Sequence, residues 1–363
     1  MLSILKNAWY AAAYSHEVDE GPLKRTLIEN TVAIFRDADG KAGMIQDRCP
    51  HRFASLSAGK VIGDAIECPY HGLRFNNRGE CVLNPHAKNK GPLRAADVPS
   101  WPVMERYGII WFWPGDPAKA DESKLPVIDF LEKSDEYGLV RGLLHVGGHY
   151  ELVVDNLLDL SHAAFLHPQF SGGNYTPEEL LAATTQKLER GERSITNHRI
   201  RRGLGPSSAH VALFGMDPKS KVVTDTTMTW HPPAMLDFAL GSWGVDQERE
   251  DGVHIPQLHI ITPETEFTSH YFFVNGRNRR LGEKEVDDAL LQFFDMAFAK
   301  QDEPMIEMVQ ENMGKVSDIM SLNPILLSTD AAPVSARRML AALIEEERAA
   351  ESAEPAKADA PVT

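Results

Sequence analysis

The first third of the chain alternates short apolar runs with turn sequences, which is the pattern of β-structure. Residues 31–36 are rich in β-branched and aromatic side chains, residues 37–40 form a turn sequence, and residues 42–45 return as a second apolar run. Two such runs around a turn predict a β-hairpin. An aromatic run at 109–113 extends the pattern, so we predict an all-β unit over residues 8–115.

The rest of the chain mixes helical and strand periods. A polar, proline-containing stretch at 116–130 marks a connector, and a predicted helix near 151–165 follows it. Strand-like runs recur between residues 195 and 275, and a long helical pattern covers 283–315. We therefore expect an antiparallel sheet packed against helices in this part of the molecule.

Together these patterns predict the fold class α+β with two domains. The first is an all-β domain at 1–116, and the second is a mixed domain of helices and sheet at 117–348. A last helix is predicted from residue 334 to about residue 348. The tail at 349–363 has almost no large apolar side chain. Its burial cannot offset the entropy of ordering, so we expect it to be disordered.

Composition narrows the possible functions. A chain of 363 residues is long enough for two domains, and its 43% hydrophobic and 25% charged residues are ordinary for a globular protein. The formal net charge of -15 argues against a nucleic-acid-binding protein. Neither a glycine-rich dinucleotide fingerprint nor a Walker-type loop occurs in the sequence, so we expect no nucleotide site in the chain.

No segment predicts an export signal or a membrane span. Lys6 and Asn7 interrupt the apolar N-terminus before it reaches the length of a signal peptide, and the run at 109–113 is too short to cross a bilayer. The chain has three cysteines. Two of them belong to the metal motif described next, which leaves Cys81 without a pair, so we expect no disulfide and a reducing, cytoplasmic location.

The strongest chemical signal is a pair of cysteine–histidine turns. One residue separates Cys49 from His51, and two residues separate Cys68 from His71. A proline follows each cysteine, which fixes the backbone φ angle and stiffens the turn that would hold the sulfur. Two thiolates and two imidazoles on stiff turns predict a metal centre.

The order of the ligands favours one kind of metal centre. Zinc fingers usually place their cysteines in one half of the motif and their histidines in the other, whereas each half is mixed here. In a Rieske [2Fe-2S] cluster, two thiolates bind one iron and two imidazoles bind the other. We therefore predict a Rieske cluster held by Cys49, His51, Cys68 and His71, with a zinc site of mixed order as the alternative.

A second constellation lies in the predicted helix near 151–165. Asn156, Asp159 and His162 are spaced by three residues and would share one helical face. His167 follows five residues later, and Pro168 indicates that the helix ends there, which would let the two histidines converge. Histidines exposed at a helix end are the plainer explanation, but the neighbouring aspartate and asparagine on a leucine-rich helix favour a site.

A carboxylate for this site is predicted in the long helix at 283–315. Its apolar stripe includes one acidic residue, and the stripe consists of Phe294, Phe298, Asp302, Met305 and Val309. A carboxylate on a buried face needs a partner. We therefore predict that Asp302 completes a ligand set of two histidines and one carboxylate, the facial triad of non-haem Fe(II) oxygenases. The alternative is an aspartate at a helix end that faces solvent.

With both motifs, the chain resembles the α subunits of Rieske non-haem iron oxygenases over nearly its whole length. Within them it is most similar to the vanillate and dicamba O-demethylases and to toluenesulfonate methyl-monooxygenase. The resemblance implies an N-terminal Rieske β domain, a C-terminal helix-grip (START-like) catalytic domain and a head-to-tail homotrimer. It also implies that Asp159 links a cluster histidine of one subunit to His162 of the next.

The resemblance further implies the reaction. Electrons from a ferredoxin or an NAD(P)H-dependent reductase, together with O2, would hydroxylate a methoxyl or methyl group of a substituted aromatic, with O-demethylation and release of formaldehyde favoured. A ring-hydroxylating dioxygenase and an N-demethylase are the enzyme alternatives. A Rieske electron carrier and a zinc-stabilised binding module are the alternatives without catalysis, although a carrier would need only the first domain.

Two polar residues are candidate substrate contacts. Asp237 and His259 each interrupt an apolar, strand-like run, where a polar group needs a reason. His259 also matches a substrate-contacting region of the demethylases. Asp237 would repel a carboxylate and could instead accept a hydrogen bond from a phenol, so an aromatic acid is in doubt as the substrate. Ordinary core residues with satisfied hydrogen bonds remain an equal alternative for both.

Overall fold

The computed structural model describes residues 2–170, 173 and 175–353. The N-terminal part contains three antiparallel sheets, with strand orders β1-β11-β10, β2-β3-β4-β9 and β5-β6-β7-β8. These strands are β1 (Tyr10–Tyr14), β2 (Leu23–Leu27), β3 (Asn30–Arg36), β4 (Ala42–Gln46), β5 (Lys60–Ile62), β6 (Ala65–Glu67), β7 (Arg74–Asn76), β8 (Cys81–Leu83), β9 (Ser100–Trp101), β10 (Val103–Arg106) and β11 (Ile109–Phe112). The predicted hairpin is confirmed by the pairing of β3 with β4.

The C-terminal part is built on one seven-stranded antiparallel sheet of order β12-β18-β17-β16-β15-β14-β13. Its strands are β12 (Gly138–Val146), β13 (Thr184–Arg190), β14 (Ile195–Leu204), β15 (Val222–His231), β16 (Met235–Gly244), β17 (Val253–Pro263) and β18 (Ser269–Arg277). The α-helices are α1 (Asp129–Glu132), α2 (Tyr150–Leu158), α3 (Ala163–Leu166), α4 (Pro177–Ala182), α5 (Ser208–Phe214), α6 (Lys284–Phe294), α7 (Glu303–Met313) and α8 (Ala331–Ala353). The fold class α+β is therefore confirmed.

The large sheet has two faces with different neighbours. Side chains alternate across a strand, so Met235, Leu258 and Phe272 share one face, and they form a common core with Trp9 and Trp111 of the N-terminal part. The opposite face looks toward the helices and a cavity. The boundary that we predicted at residue 116 stays a prediction, because the apolar core runs across it.

The predicted helix near 151–165 is broken in the structure. Helix α2 ends at Leu158, and Asp159 has a non-helical backbone (φ -109°, ψ 85°). A 3-10 turn at Leu160–His162 and the short helix α3 follow. Asn156, Asp159 and His162 therefore do not share one continuous helical face, although the predicted end of the helix before Pro168 is confirmed.

The long helix predicted at 283–315 is interrupted by a π-helical segment at Asp295–Asp302, between α6 and α7. Phe298 and Asp302 are buried as predicted, but Met305 is 42% exposed and Ile306 is buried in its place. A π-turn holds more residues than an α-turn, which shifts the helix that follows by about one residue. The buried residue after Asp302 is therefore Ile306, four positions on, instead of Met305, three positions on.

Helix α8 is longer than predicted. Its last turn, residues 349–353, falls in the tail that we expected to be disordered, and residues 354–363 lie outside the described residues. The Glu347 carboxylate accepts hydrogen bonds from the backbone N–H groups of Lys6 and Asn7, both at 2.7 Å. Lys6 also pairs with Glu351 at 3.2 Å. These contacts with the N-terminus extend the helix beyond what its composition suggests.

Candidate metal centres and active-site cavity

The two cysteine–histidine turns have the same backbone geometry. Phe53 N–H donates to the Cys49 carbonyl at 2.9 Å, and Gly72 N–H donates to the Cys68 carbonyl at 3.0 Å. Phe53 and Gly72, each four residues after the cysteine, both have positive φ (60° and 72°). Both thiols are 2% exposed. The matched turns therefore present two buried sulfurs and, further out, two imidazoles.

The imidazoles lie at the surface edge of this site. The ring centroids of His51 and His71 are 4.4 Å apart. His71 Nδ1 is buried and has no hydrogen-bond partner among the described residues. A buried nitrogen without a partner beside a second imidazole and two thiols fits a metal ligand, and the mixed donor set fits a Rieske cluster. Cys81 is also buried, with its sulfur 3.7 Å from the Leu83 carbonyl oxygen.

A second group of ligands lies below the large sheet. One ligand atom each of His162, His167 and Asp302 lie within 4.8 Å of one another. Asp302 Oδ1 is 3.3 Å from His162 Nε2 and 3.1 Å from His167 Nε2. The structure thus brings together the three side chains that we predicted as a facial triad, from α3, its flanking 3-10 turn and the π-helical segment.

The outer nitrogens of both histidines are fixed by acceptors. His162 Nδ1 donates to the Asp159 carbonyl oxygen at 2.6 Å, and His167 Nδ1 donates to Gln301 Oε1 at 2.8 Å. Each ring therefore presents its Nε2 to Asp302, as an N–H donor to the carboxylate when protonated there and as a lone pair for a metal when that proton is lost. This donor set fits a non-haem iron with open positions.

The carboxylate of the group is held in its charged form. Burial alone would raise the pKa of Asp302, but hydrogen bonds from His162 and His167 and their charges outweigh it and hold the pKa at about 2. Asn156 Nδ2 donates to Asp302 Oδ1 at 3.1 Å. Asn156 therefore contacts the triad at the Asp302 carboxylate and acts as a positioning residue.

Asp159 contacts the group through its backbone. Its carbonyl oxygen orients His162, while its carboxylate accepts from Ser161 N–H at 2.9 Å and lies 4.0 Å from Arg199 Nη1. The carboxylate remains 20% exposed. The structure places it beside His162 at the surface, where another molecule can reach it.

A cavity of about 310 Å³ opens beside the triad, bounded by the inner face of the sheet. Its walls include five phenylalanines, namely Phe170, Phe238, Phe293, Phe294 and Phe298. Its polar side chains include Arg199, Arg201, Thr224, His259 and Asn275. An apolar, aromatic cavity with a few polar groups is typical of a site for a small organic molecule.

The two candidate substrate contacts lie on opposite faces of the sheet. His259 lines the cavity, its Nδ1 is 2.6 Å from the Tyr271 hydroxyl, and its Nε2 has no partner among the described residues. Asp237 lies opposite Leu258, and Leu258 directly precedes His259 on β17. Paired residues share a face of the sheet and successive residues alternate, so Asp237 points away from the cavity. Burial, and then the charge of Asp129, raise the pKa of Asp237 to about 6. The expectation of a substrate contact at Asp237 is wrong for this cavity.

Three polar residues of the site were missed by sequence reasoning. Gln301 directly precedes the predicted ligand Asp302, and this adjacency could have indicated a role near the triad. Arg199 and Arg201 occupy alternate positions of β14, where an inward strand face is ordinarily apolar. The sequence shows that Arg199 and Arg201 lie on the same face of the strand, but it does not show that this face lines the cavity.

Comparison with known proteins agrees with this geometry. Residues 8–102 match the Rieske [2Fe-2S] domain, and residues 146–346 match the vanillate O-demethylase oxygenase C-terminal domain. The oxygenase component of chloroacetanilide N-alkylformylase from Rhizorhabdus wittichii is 38% identical, covering 94% of this chain and 96% of that protein. The oxygenase component of dicamba O-demethylase from Stenotrophomonas maltophilia is 36% identical, covering 96% of this chain and 100% of that protein.

Solved structures show the same likeness. The crystal structure of dicamba monooxygenase bound to 3,6-dichlorosalicylic acid superposes with a TM-score of 0.88 at 32% identity, covering 96% of this chain and 99% of that chain. A dicamba monooxygenase structure with non-haem iron and dicamba superposes with a TM-score of 0.82 at 33% identity, with the same coverage. The chain therefore belongs to the Rieske non-haem iron oxygenases whose catalytic domain is of the vanillate O-demethylase type, and it is the oxygenase component of a Rieske monooxygenase system.

Proposed function

We propose that this oxygenase removes a methyl group from a methoxylated aromatic compound. The observation that carries the proposal is the triad of His162, His167 and Asp302, which opens onto a cavity walled by five phenylalanines. A flat ring fits such walls through aromatic contacts. The names of the dicamba and vanillate O-demethylases, among the similar proteins, support this reaction.

The reaction balances with one O2, two electrons and two protons. One oxygen atom enters a methyl C–H bond of the ether and the other leaves as water. The resulting hemiacetal then breaks its C–O bond to give a phenol and formaldehyde. Iron bound at the triad would supply the activation of O2, with electrons that arrive through the Rieske cluster.

The chain's own residues hold and orient the reacting partners. The Asp159 carbonyl and Gln301 keep both imidazoles turned toward the triad, and Asn156 steadies the Asp302 carboxylate. The Tyr271 hydroxyl can donate to His259 Nδ1, which leaves His259 Nε2–H free to donate to an oxygen of the substrate. Burial lowers the pKa of His259 to about 3, so this ring is neutral at physiological pH.

We further propose that electrons pass between subunits of a head-to-tail homotrimer. Beside the cluster histidines, Phe53 and Tyr70 are 68% and 60% exposed. A second exposed apolar surface, near Asp159, includes Ile325 (90%) and Leu326 (47%). Large exposed apolar side chains on both surfaces support a contact in which the surface of one subunit beside the cluster packs against the surface near Asp159 of a second copy. Such a contact would bring a cluster histidine to the Asp159 carboxylate.

The first electron donor in this proposal is a separate protein. The relatives are named as oxygenase components or subunits, which supports a partner reductase or ferredoxin that uses NAD(P)H. We place the system in the cytoplasm, because none of the three cysteines is in a disulfide: Cys49 and Cys68 are assigned to the cluster, and Cys81 has no cysteine partner. No helix among the described residues is long and apolar enough to cross a membrane.

N-dealkylation is a second candidate function. The chloroacetanilide N-alkylformylase oxygenase component is 38% identical to this chain. Hydroxylation of a carbon bound to nitrogen would use the same triad and cavity, and the product would break at C–N instead of C–O.

The experiment supplies the purified protein with a surrogate reductase, NADH and O2, and measures formaldehyde from methoxybenzoates and methoxybenzamides. N-alkyl anilides are run in parallel, and Asp302→Ala is the control without a complete triad. We expect formaldehyde and phenol in equal amounts from at least one methoxy compound with the wild type and none with the variant. Dealkylation of the anilides alone would establish the second candidate, and equal product from Asp302→Ala would overturn the assignment of the site.

A further inference from the structure

Two arginines line the cavity from the same strand. Arg199 and Arg201 lie two residues apart on β14, so both side chains point to the inner face of the sheet. Arg199 is 7% exposed and Arg201 is half-buried. The apolar area of this cavity is provided by phenylalanine and leucine side chains, which cannot compensate a positive charge.

The two guanidinium groups differ in their charge partners. Arg199 Nη1 lies 4.0 Å from Asp159 Oδ1, so an acidic group of the chain faces it. For Arg201, no carboxylate of the described residues lies within ion-pair distance, and its Nε, like that of Arg199, is buried without a hydrogen-bond partner among them. A half-buried guanidinium without an ion partner, in a cavity with apolar walls, carries a desolvation cost that a bound anion would offset. Arg201 therefore lacks the anion that its position requires.

We propose that Arg201 is the residue that binds an anionic group of the substrate, and that the substrate is an aromatic carboxylate. Thr224, directly opposite Arg201 on β15, adds a buried hydroxyl that also has no partner among the described residues. A guanidinium and a hydroxyl on the same face provide donors for both oxygens of a carboxylate. The inference rests on the proposed function only in taking the ring substrate to be methoxylated.

Arg201 contacts the cavity at a different point of β14 from Arg199. Along β14, Asn197 contacts the Leu158 carbonyl at the end of α2, Arg199 faces Asp159, and Arg201 comes next. Two residues of a strand span about 7 Å, so the backbone of Arg201 lies about that far along β14 from the backbone of Arg199. Since Asp237 faces away from the cavity, it does not oppose an acid.

The test is a binding measurement with a matched pair of ligands. Calorimetry without O2 or reductant compares the affinity of the metal-loaded wild type for 3-methoxybenzoate and for the neutral 3-methoxybenzamide. The variant is Arg201→Gln. The control is Arg202→Gln, which removes a charge from the next residue of β14, where the side chain is exposed and points to the other face.

We expect Arg201→Gln to weaken methoxybenzoate binding by about 10- to 100-fold, the usual effect of losing a hydrogen-bonded charge, and to change methoxybenzamide binding by less than about 3-fold. Arg202→Gln should bind both like the wild type. Retained benzamide binding also shows that the Arg201→Gln cavity is folded. Equal weakening of both ligands, an unchanged benzoate affinity, or a wild type without preference for the benzoate would overturn the proposal.

Formaldehyde release separates this inference from the proposed function. If the wild type binds the benzoate through Arg201 but releases no formaldehyde from any methoxy compound, O-demethylation is wrong and the anion site stands. If formaldehyde is released from acid and amide alike, and Arg201→Gln does not change that ratio, the anion site is wrong and O-demethylation stands.

Discussion

Replacing Gln301 by alanine should loosen iron at the triad without touching a ligand. Gln301 Oε1 accepts from His167 Nδ1 at 2.8 Å and from Gln169 Nε2 at 2.7 Å, and Gln301 Nε2 donates to the Leu166 carbonyl at 2.9 Å. The side chain thus ties the π-helical segment to the loop that carries His167. Alanine removes all three bonds, and loss of the acceptor for Nδ1 frees the His167 imidazole to rotate and to place its proton on Nε2, where it would block the metal.

The size of this effect follows from the number of contacts. Outer partners of histidine ligands contribute about 10- to 100-fold to metal affinity, or about 1.4 to 2.8 kcal/mol. Only one of the two histidines loses its acceptor, because His162 keeps the Asp159 carbonyl. We therefore predict a loss of about 10- to 30-fold in Fe(II) affinity, within the range for one such partner.

The assay is an anaerobic Fe(II) titration against a competing chelator, with the visible spectrum of the cluster recorded in the same samples. Gln292→Ala is the matched control, because Gln292 lies on the exposed side of α6. Gln301→Glu should retain iron, since a carboxylate also accepts from His167. An Fe(II) affinity of Gln301→Ala equal to that of Gln292→Ala would refute the argument that Gln301 fixes this ligand.

Three further predictions concern other parts of the chain. Asp159→Asn keeps an acceptor for Ser161 N–H, so we expect both metals to remain bound while coupled turnover falls at least about 100-fold; unchanged turnover would remove the carboxylate from electron transfer. Asp237→Asn should raise the free energy of unfolding at alkaline pH. The pKa of Asp237 is raised from 3.8 to about 6 in the folded state, so the folded state loses stability as the pH rises from 4 through 6 and this carboxyl ionises. The loss amounts to up to about 3 kcal/mol, and the amide avoids it. Melting temperatures should therefore agree at pH 4 and differ at pH 8, and equal values at both would contradict the buried charge. Cys81→Ser should keep the full content of iron and acid-labile sulfide, and a loss of sulfide would make Cys81 a ligand.

The parts of the site that depend on short sequence spacing could be predicted. Cys49, His51, Cys68 and His71 lie in two turns of a few residues, and the mixed order of the ligands was visible in the sequence. His167 could be placed because Pro168 ends the helix. These features depend on local backbone geometry, which the neighbouring residues largely determine.

The parts that depend on sheet register and helix irregularity could not be predicted. Asp237 and His259 looked alike in sequence, but only the pairing of β16 with β17 shows that they point to opposite faces. For the same reason, the sequence could not show that Arg201 faces the cavity. The break at Asp159 and the π-turn before Asp302 are departures from a regular helix, and the periodicity of the residues nearby does not indicate them.

The central claim is that this chain itself passes electrons from its cluster to O2 at the triad and attacks a bound methoxy compound. The most direct test is a single turnover: the protein is reduced chemically, freed of reductant, and mixed with O2 and 3-methoxybenzoate. We predict that the cluster reoxidises and that formaldehyde appears at up to about one per chain in the wild type but not in Asp302→Ala, because the reduced cluster and Fe(II) held at the triad would each supply one of the two electrons. Reoxidation of the wild type without product, at the same rate as Asp302→Ala, would mean that the chain only carries electrons.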